Sequence, residues 1–74
     1  MSNKETYGFG IIGAGMIASF HAKSVIESDG GKLVALASRG KERAEKMSGE
    51  FDIPYYLDYE DLIKRDDIDV VNIC

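Results

Sequence analysis

A run of small residues between an apolar stretch and a helical pattern constrains this chain more than any other feature. Tyr7 to Ile12 is short and apolar, which predicts a strand buried on both faces. The next six residues, Gly13-Ala14-Gly15-Met16-Ile17-Ala18, fit the pattern G-x-G-x-x-[GA], and a helix is predicted to begin near Met16. A strand, a glycine turn and a helix in this order are typical of a nucleotide-binding βαβ unit.

Each small residue of the pattern has a physical reason in such a unit. Gly13 permits the tight turn from strand to helix, and Gly15 has no Cβ, so a pyrophosphate can approach the main chain. Ala18 is small enough for the helix to pack closely on the strands. The N–H groups at the start of the helix, at the positive end of its dipole, then face the phosphates. No G-K-[ST] follows, which excludes a P-loop.

Two other interpretations of the glycine turn stay open at this point. The small residues could serve only the turn and close packing. A methyltransferase-type nucleotide site is also compatible with the same half-fold, although the G-x-G-x-x-A spacing favours a dinucleotide.

The rest of the chain alternates strand and helix patterns. The predicted elements are a strand at Lys32–Ser38, a helix at Lys41–Phe51, a weak strand at Ile53–Tyr56, a short helix capped by Asp58 and ending at Lys64, and a strand at Asp69–Cys74. Such alternation predicts right-handed crossovers and a parallel sheet. With the first strand central, the order is 3-2-1-4, so the fold class is α/β, a partial Rossmann fold with flanking helices.

The first predicted helix carries many apolar residues at spacings of three and four. They predict one broad apolar face, made of Ile17, Ala18, Phe20, His21, Ala22, Val25 and Ile26. His21 is the only histidine, and its place on this face favours a packing contact over an acid–base role.

Composition limits the partners of the chain. The chain has 74 residues and a net charge of −4, so we do not expect it to bind nucleic acid or an anionic membrane through a broad positively charged surface. A single cysteine excludes an internal disulfide and suits a reducing cytoplasm. The last predicted strand would leave Val70, Val71 and Ile73 uncovered. We therefore expect residues 1–74 to be the N-terminal part of a dinucleotide-binding domain in a longer protein.

The end of the second strand discriminates between dinucleotides. NAD sites usually carry an Asp or Glu there, which bonds the ribose hydroxyls and repels a 2′-phosphate. This chain has Ser38 and Arg39 instead, with Lys41 and Arg43 nearby, so NADP(H) is predicted over NAD(H). Ser38 could bond the 2′-phosphate while Arg39 covers the adenine or pairs with the phosphate. Alternatively, Arg39, Lys41 and Arg43 are only solvent-exposed residues at the start of the helix.

Several further residues have a structural interpretation as the default. Tyr55, Tyr56 and Tyr59 could line the adenosine side of a site, but aromatic residues near a sheet edge usually pack. The acidic group Asp66, Asp67 and Asp69 has no companion ligands, so a solvated loop is favoured over a metal site, and none is predicted. Cys74 falls where a ligand would pass, and we interpret it as a small residue rather than a reactive thiol.

Three segments resemble a known family. "GIIGAGMIASFHA", "LVALASRGKERAEKM" and "YYLDYEDLIKRDDIDVVNIC" are similar to the N-terminal domain of the glucose–fructose oxidoreductase, inositol dehydrogenase and rhizopine-catabolism (Gfo/Idh/MocA) family. The resemblance extends from Tyr7 to the last residue. It implies an NAD(P)-dependent oxidoreductase that acts on sugars, cyclitols or related polyols and forms homo-oligomers. A C-terminal α/β domain would carry the substrate site.

The resemblance also implies roles for individual residues. Cofactor contacts would fall on Gly13, Gly15, Met16, Ile17, Ser38, Arg39, Arg43, Ile73 and Cys74. The family's catalytic lysine and its later histidine or aspartate lie downstream of the matched segments, so no catalytic residue is assigned here. The alternative function is a non-catalytic module that binds or senses a dinucleotide.

Overall fold

The computed structural model describes residues 6–74, which form four strands and three helices. The elements in chain order are β1 (Tyr7–Ile12), α1 (Met16–Glu27), β2 (Gly31–Ala37), α2 (Lys41–Phe51), β3 (Tyr55–Tyr56), α3 (Tyr59–Ile63) and β4 (Val70–Ile73). The bounds predicted for the first strand and the second helix are confirmed. The other three strands are shorter than predicted or shifted by a residue.

The strands form one parallel sheet in the order β3-β2-β1-β4, so the predicted α/β topology is confirmed. One face is covered by α1 and α2, where Ile11, Leu36 and Met47 belong to one buried cluster. The opposite face is covered by α3 through Leu62. Burial on both faces explains the nearly continuous apolar run of β2. Among residues 6–74, no helix has the length and apolarity needed to cross a membrane.

A bulge lies in the middle of β2. The register passes from Phe9 opposite Leu33 to Gly10 opposite Ala35, which leaves Val34 as the extra residue. The extra residue shifts the alternation of side chains between the two faces. Leu33 and Leu36 therefore face the same cluster although they are three positions apart.

The predicted packing face of α1 is wrong in part. Only Ala18, Ala22 and Val25 are buried, whereas Phe20 is 68% exposed and His21 is also exposed. The helix rests on the sheet through its smallest side chains, and the larger apolar ones project away from it. His21 precedes Ala22 in sequence, but one helical step of about 100° turns it off the buried face. It is therefore not the packing residue that the pattern predicted.

The loop before β4 is fixed against β1. The N–H of Gly8 donates to Asp69 Oδ2 at 2.8 Å, and the N–H of Asp69 donates to the Gly8 carbonyl at 2.7 Å. A Cβ on Gly8 would overlap the carbonyl oxygen of Asp67. The acidic loop thus has a structural use, because it closes over a strand position where no side chain fits.

Arg65 ties the same loop to β3. Its guanidinium donates to both carboxylate oxygens of Asp67, at 2.8 and 2.7 Å, and to the Tyr56 hydroxyl at 3.1 Å. The guanidinium lowers the pKa of the Asp67 carboxyl below its usual value. One side chain therefore connects the loop beside the central strand to the edge strand of the sheet.

We predict opposite effects on stability for two glycine-to-alanine substitutions. Gly8→Ala should lower the free energy of unfolding by about 1–3 kcal/mol or more, because the new Cβ forces the Asp67 main chain to move. Gly49→Ala is the matched control, since its Cβ would meet nothing within 4 Å and alanine favours the helix by about 0.5–1 kcal/mol. Thermal unfolding of the full-length protein measures both. A Gly8→Ala variant as stable as the wild type would contradict the packing described for this loop.

Candidate functional site

The carboxyl ends of the four parallel strands meet at one edge of the sheet. In a sheet of this topology, ligands bind outside that edge. Main-chain hydrogen bonds connect each pair of neighbouring strand ends there: Ser38 N to Tyr56 O at 2.9 Å, Gly13 N to Ala37 O at 2.7 Å, and Cys74 N to Ile12 O at 2.9 Å. The segments that follow the strands therefore start from fixed positions.

Both glycines of the turn adopt conformations that side chains rarely tolerate. The φ angles are +127° at Gly13 and +122° at Gly15. A Cβ on Gly13 would lie 3.0 Å from the carbonyl oxygen of Cys74, so this glycine also permits close approach of the end of β4. A Cβ on Gly15 would meet no atom within 4 Å. Gly13 therefore faces protein, and Gly15 faces open space.

The open space beside Gly15 lies at the start of α1. Gly15 is the N-cap of this 12-residue helix, and no side chain among residues 6–74 caps it through a hydrogen bond. Met16 and Ile17, in the first turn, are 80% and 65% exposed. Uncapped N–H groups at a helix start, next to a residue without a side chain, form a surface that fits a phosphate. Ala18 is 2% exposed, which confirms its close packing on the sheet.

Two clefts meet at Ser38, beyond the end of β2. The β2–α2 cleft, of about 370 Å³, is lined by Ala14, Ser38, Gly40, Lys41, Glu42 and Arg43. The β2–α3 cleft, of about 450 Å³, is lined by Ile12, Ala37, Ser38, Arg39, Leu57, Asp58, Tyr59 and Glu60. The Gly40 N–H donates to Ser38 Oγ at 3.2 Å, which holds the hydroxyl at the junction of the two clefts.

The two clefts differ in charge. Lys41 and Arg43 outnumber Glu42 in the β2–α2 cleft. The β2–α3 cleft is lined by one cation, Arg39, and by two carboxylates, those of Asp58 and Glu60. Arg39 and Arg43 are close in sequence, but they line different clefts on either side of Ser38. An anionic group is therefore favoured on the α2 side and disfavoured on the α3 side.

A larger groove, of about 620 Å³, runs between α1 and α2. It begins at Gly15 and Met16 and extends along both helices past Lys23 and Glu50. Of its lining residues, only Arg43 also lines either cleft. The groove adjoins the candidate site, since it shares Gly15 with the glycine turn and Arg43 with the β2–α2 cleft. We place the site at the strand ends because Ser38 and Arg39 line the clefts there and do not line the groove.

Ile73 and Cys74 lie at the junction between β1 and β4. Ile73 is paired with Ile12 in the sheet register and is 80% exposed. Cys74 is a free cysteine that is exposed as a residue, and partial burial of its thiol raises its pKa. Its main chain packs against Gly13, so the glycine turn and the end of β4 form one continuous surface.

Residues that follow β3 also belong to the site, although the sequence pattern did not predict most of them there. Leu57, Asp58 and Glu60 line the β2–α3 cleft beside Arg39, as does Tyr59, one of the tyrosines considered for the adenosine side. Tyr55 and Tyr56 are half-buried and pack against the two buried clusters. The predicted strand order contained the signal for this cleft, because β3 is the neighbour of β2 and the segments after both strands emerge side by side.

The parallel sheet and the glycine turn at this edge are those of a nucleotide-binding Rossmann fold, and comparison with known proteins identifies the family. Residues 7–74 match the GFO_IDH_MocA family, described as an oxidoreductase family with an NAD-binding Rossmann fold. The chain belongs to this family. No curated protein sequence matches it significantly.

Solved structures similar to the chain include three oxidoreductases. A candidate myo-inositol dehydrogenase from Sinorhizobium meliloti 1021 is 35% identical over 93% of this chain, with a TM-score of 0.83. Myo-inositol dehydrogenase from Lactobacillus casei, in complex with NAD(H) and myo-inositol, is 26% identical over 93%, with a TM-score of 0.85. A candidate NADPH-dependent oxidoreductase from Desulfitobacterium hafniense DCB-2 is 28% identical over 95%, with a TM-score of 0.86. The matches cover 21%, 21% and 20% of those chains, so this chain spans about a fifth of their length.

We predict slow alkylation of Cys74 near neutral pH. The thiolate is the reactive form, and a raised pKa lowers its fraction at any pH below that value. The rate of reaction with iodoacetamide, followed on the Cys74 peptide by mass spectrometry, should rise with pH and reach half its maximum above the ordinary thiol pKa of about 8.5. A half-maximum below that pH would contradict the effect of burial described here.

Proposed function

We propose that this chain is the NADP(H)-preferring dinucleotide-binding part of a longer oxidoreductase that acts on a sugar, a cyclitol or a related polyol. The observation that carries the proposal is the uncapped start of α1 beside Gly15. There the main chain, with φ of +122° and open space next to it, leaves room for a pyrophosphate. The family match at residues 7–74 supports the same chemistry.

In this proposal, the predicted cofactor residues act at different parts of the dinucleotide. Gly13 and Gly15 shape the main chain under the pyrophosphate, with Met16 and Ile17 flanking it. Ile73 and Cys74 border the crevice toward the nicotinamide half, since strand order reverses between β1 and β4. Ser38 lies under the adenosine ribose at the junction of the two clefts.

The preference for NADP(H) follows from charge around Ser38. No Asp or Glu directly follows β2 in the chain, and the β2–α2 cleft carries Lys41 and Arg43 against one glutamate. A 2′-phosphate placed there accepts charge-assisted hydrogen bonds from Arg43 and a hydrogen bond from the Ser38 hydroxyl. Arg39 lines the other cleft, beside two carboxylates, and covers the adenine rather than the phosphate.

The proposed substrate class rests on the similar structures, two of which carry inositol dehydrogenase names. A bound nicotinamide would supply hydride transfer to or from the carbon of an alcohol or carbonyl group. In this proposal, the acid–base residue that would take up the alcohol proton lies outside this chain, in a C-terminal substrate domain. We further propose a homo-oligomer in the cytoplasm, which a single free cysteine suits.

Titration of the full-length protein with NADPH and NADH tests the proposal directly. We expect NADPH to bind more tightly than NADH, on the order of tenfold, because one charge-assisted hydrogen bond to the 2′-phosphate contributes about that much to affinity. Reduced nicotinamide should then form on incubation with NADP⁺ and a panel of cyclitols and sugar alcohols. Equal or tighter NADH binding would contradict the preference. Binding without turnover on any polyol would favour the non-catalytic module.

Substitution of the two arginines separates their roles. Arg43→Ala should weaken NADPH binding by about tenfold and should leave the affinity for NADH within about threefold of the wild-type value, because only NADPH carries the 2′-phosphate. Arg39→Ala should weaken both dinucleotides equally, since both carry adenine. Lys64→Ala, which removes a positive charge from the end of α3, is the matched control and should change neither. Equal losses of NADPH and NADH in Arg43→Ala would overturn the phosphate assignment.

A further inference from the structure

We propose that the α1–α2 groove is a docking surface for an acidic amphipathic helix of a separate partner protein. This groove, of about 620 Å³, lies between the 16–23 face of α1 and the 43–50 face of α2. The cofactor is proposed to contact only one end of it, at Gly15, Met16 and Arg43. The inference therefore concerns a surface that the proposed function leaves without a use, and it does not rest on dinucleotide binding.

The shape of the groove fits a helix. Its lining residues extend from Met16 to Lys23 on α1 and from Arg43 to Glu50 on α2, so it follows each helix for about two turns. At a rise of about 1.5 Å per residue, the groove is about 10 Å long. Amphipathic helices bind in grooves of this kind through apolar residues at positions i, i+3 or i+4, and i+7, which cover about the same two turns.

Apolar side chains occupy the middle of the groove. Met47 is 3% exposed and belongs to its floor, whereas Met16 and Phe20 are 80% and 68% exposed. Met16 and Phe20 are four positions apart on α1 and are therefore neighbours on one face of the helix. Adjacent apolar side chains exposed to this extent are typical of interaction surfaces, and methionine adapts its shape to different partners. The floor thus offers apolar area that the partner helix would cover.

The charged residues of the groove are mostly positive. Three cations, Lys23, Arg43 and Lys46, line it together with one acid, Glu50, in a chain whose net charge is −4. None of the three cations forms an ion pair with another residue among residues 6–74. Complementary charge favours association and disfavours partners of the same sign, so the groove selects an acidic partner.

The distribution of the cations favours a helix over a small anion with an apolar tail. Arg43 lies at the end near Gly15, Lys46 follows one turn later on α2, and Lys23 lies toward the opposite end on α1. A single anionic head group would meet only one end of this row. A helix with a carboxylate on each turn can pair with all three cations while its apolar face covers the floor.

The helices of this chain do not match the groove themselves. Within residues 6–74, only α3 has an excess of acidic residues, Glu60 and Asp61. With five residues, α3 is about 7.5 Å long and shorter than the groove. The charge and length of the described helices therefore favour a separate protein over a second copy of this domain.

The test uses the full-length protein and a pair of synthetic peptides. The acidic peptide is a helix of about four turns with leucines along one face and glutamates beside them, and its basic twin has lysine in place of each glutamate. Binding is measured by fluorescence anisotropy of the labelled peptides. We expect the acidic peptide to bind more tightly than its twin, on the order of tenfold or more, and we expect added salt to weaken its binding.

Variants locate the binding surface. Phe20→Ser removes an exposed ring from the groove, and its matched control is Ile26→Ser, since Ile26 is 53% exposed on the same helix and does not line the groove. Lys46→Glu reverses a charge that lines the groove but neither cleft, and Lys64→Glu makes the same change at the end of α3. We expect Phe20→Ser and Lys46→Glu each to weaken the acidic peptide by about tenfold and both controls to stay within about twofold.

Each outcome decides for or against the inference. Losses confined to Phe20→Ser and Lys46→Glu support it. Equal binding of the two peptides, equal losses in the variants and their controls, or no binding of the acidic peptide to the wild-type protein overturns it. A change of oligomeric state in Phe20→Ser and Lys46→Glu, measured by analytical ultracentrifugation, also overturns it, because the groove would then bind a second copy. Dinucleotide titration is separate from all of these measurements, so the proposed function stands or fails independently.

Discussion

The contact between Gly13 and the end of β4 is the constraint on which the rest of the site depends. The chain must leave β1 at a positive φ, turn into α1 and pass within van der Waals distance of the Cys74 main chain. A side chain at Gly13 would separate β4 from the turn, and it would also move the start of α1. The same residue therefore keeps the sheet closed at the β1–β4 junction and aims the N–H groups of α1 outward. Because Gly13 determines the direction of the main chain from β1 into α1, Gly15 can lie open to solvent.

Close packing of α1 follows from this turn. The helix leaves the sheet edge so near the strands that only Ala18, Ala22 and the flank of Val25 fit between them. Larger apolar residues of the helix are consequently exposed. A helix held this close keeps its first turn in line with the strand ends, which is the position that lets one helix terminus serve a ligand at the edge of the sheet. Burial, helix position and the open space at Gly15 are therefore consequences of one arrangement.

Sequence patterns predicted the elements and their order well, because both depend on local chemistry. β1 and α2 have the predicted bounds, and Asp58 caps α3 as expected. The patterns failed where the outcome depended on distances between elements. Periodicity grouped Phe20 and His21 with Ala18, but it contains no information on how closely the helix approaches the sheet. The sequence pattern also did not predict the two clefts. Arg39 and Arg43 are only four positions apart in the chain, but in the fold they line different clefts on either side of Ser38.

The position of Ser38 depends in turn on the weakest part of the sheet. Its N–H donates to the carbonyl of Tyr56, in an edge strand of only two residues, and the N–H of Leu36 donates to the carbonyl of Pro54 just before that strand. So short a strand has little stability of its own. Arg65 compensates, because its guanidinium bonds the Tyr56 hydroxyl and the Asp67 carboxylate together, and the Asp67 main chain lies against Gly8 in the central sheet. The edge strand that binds the Ser38 main chain is thereby connected to β1 through Arg65 and the Asp67 loop.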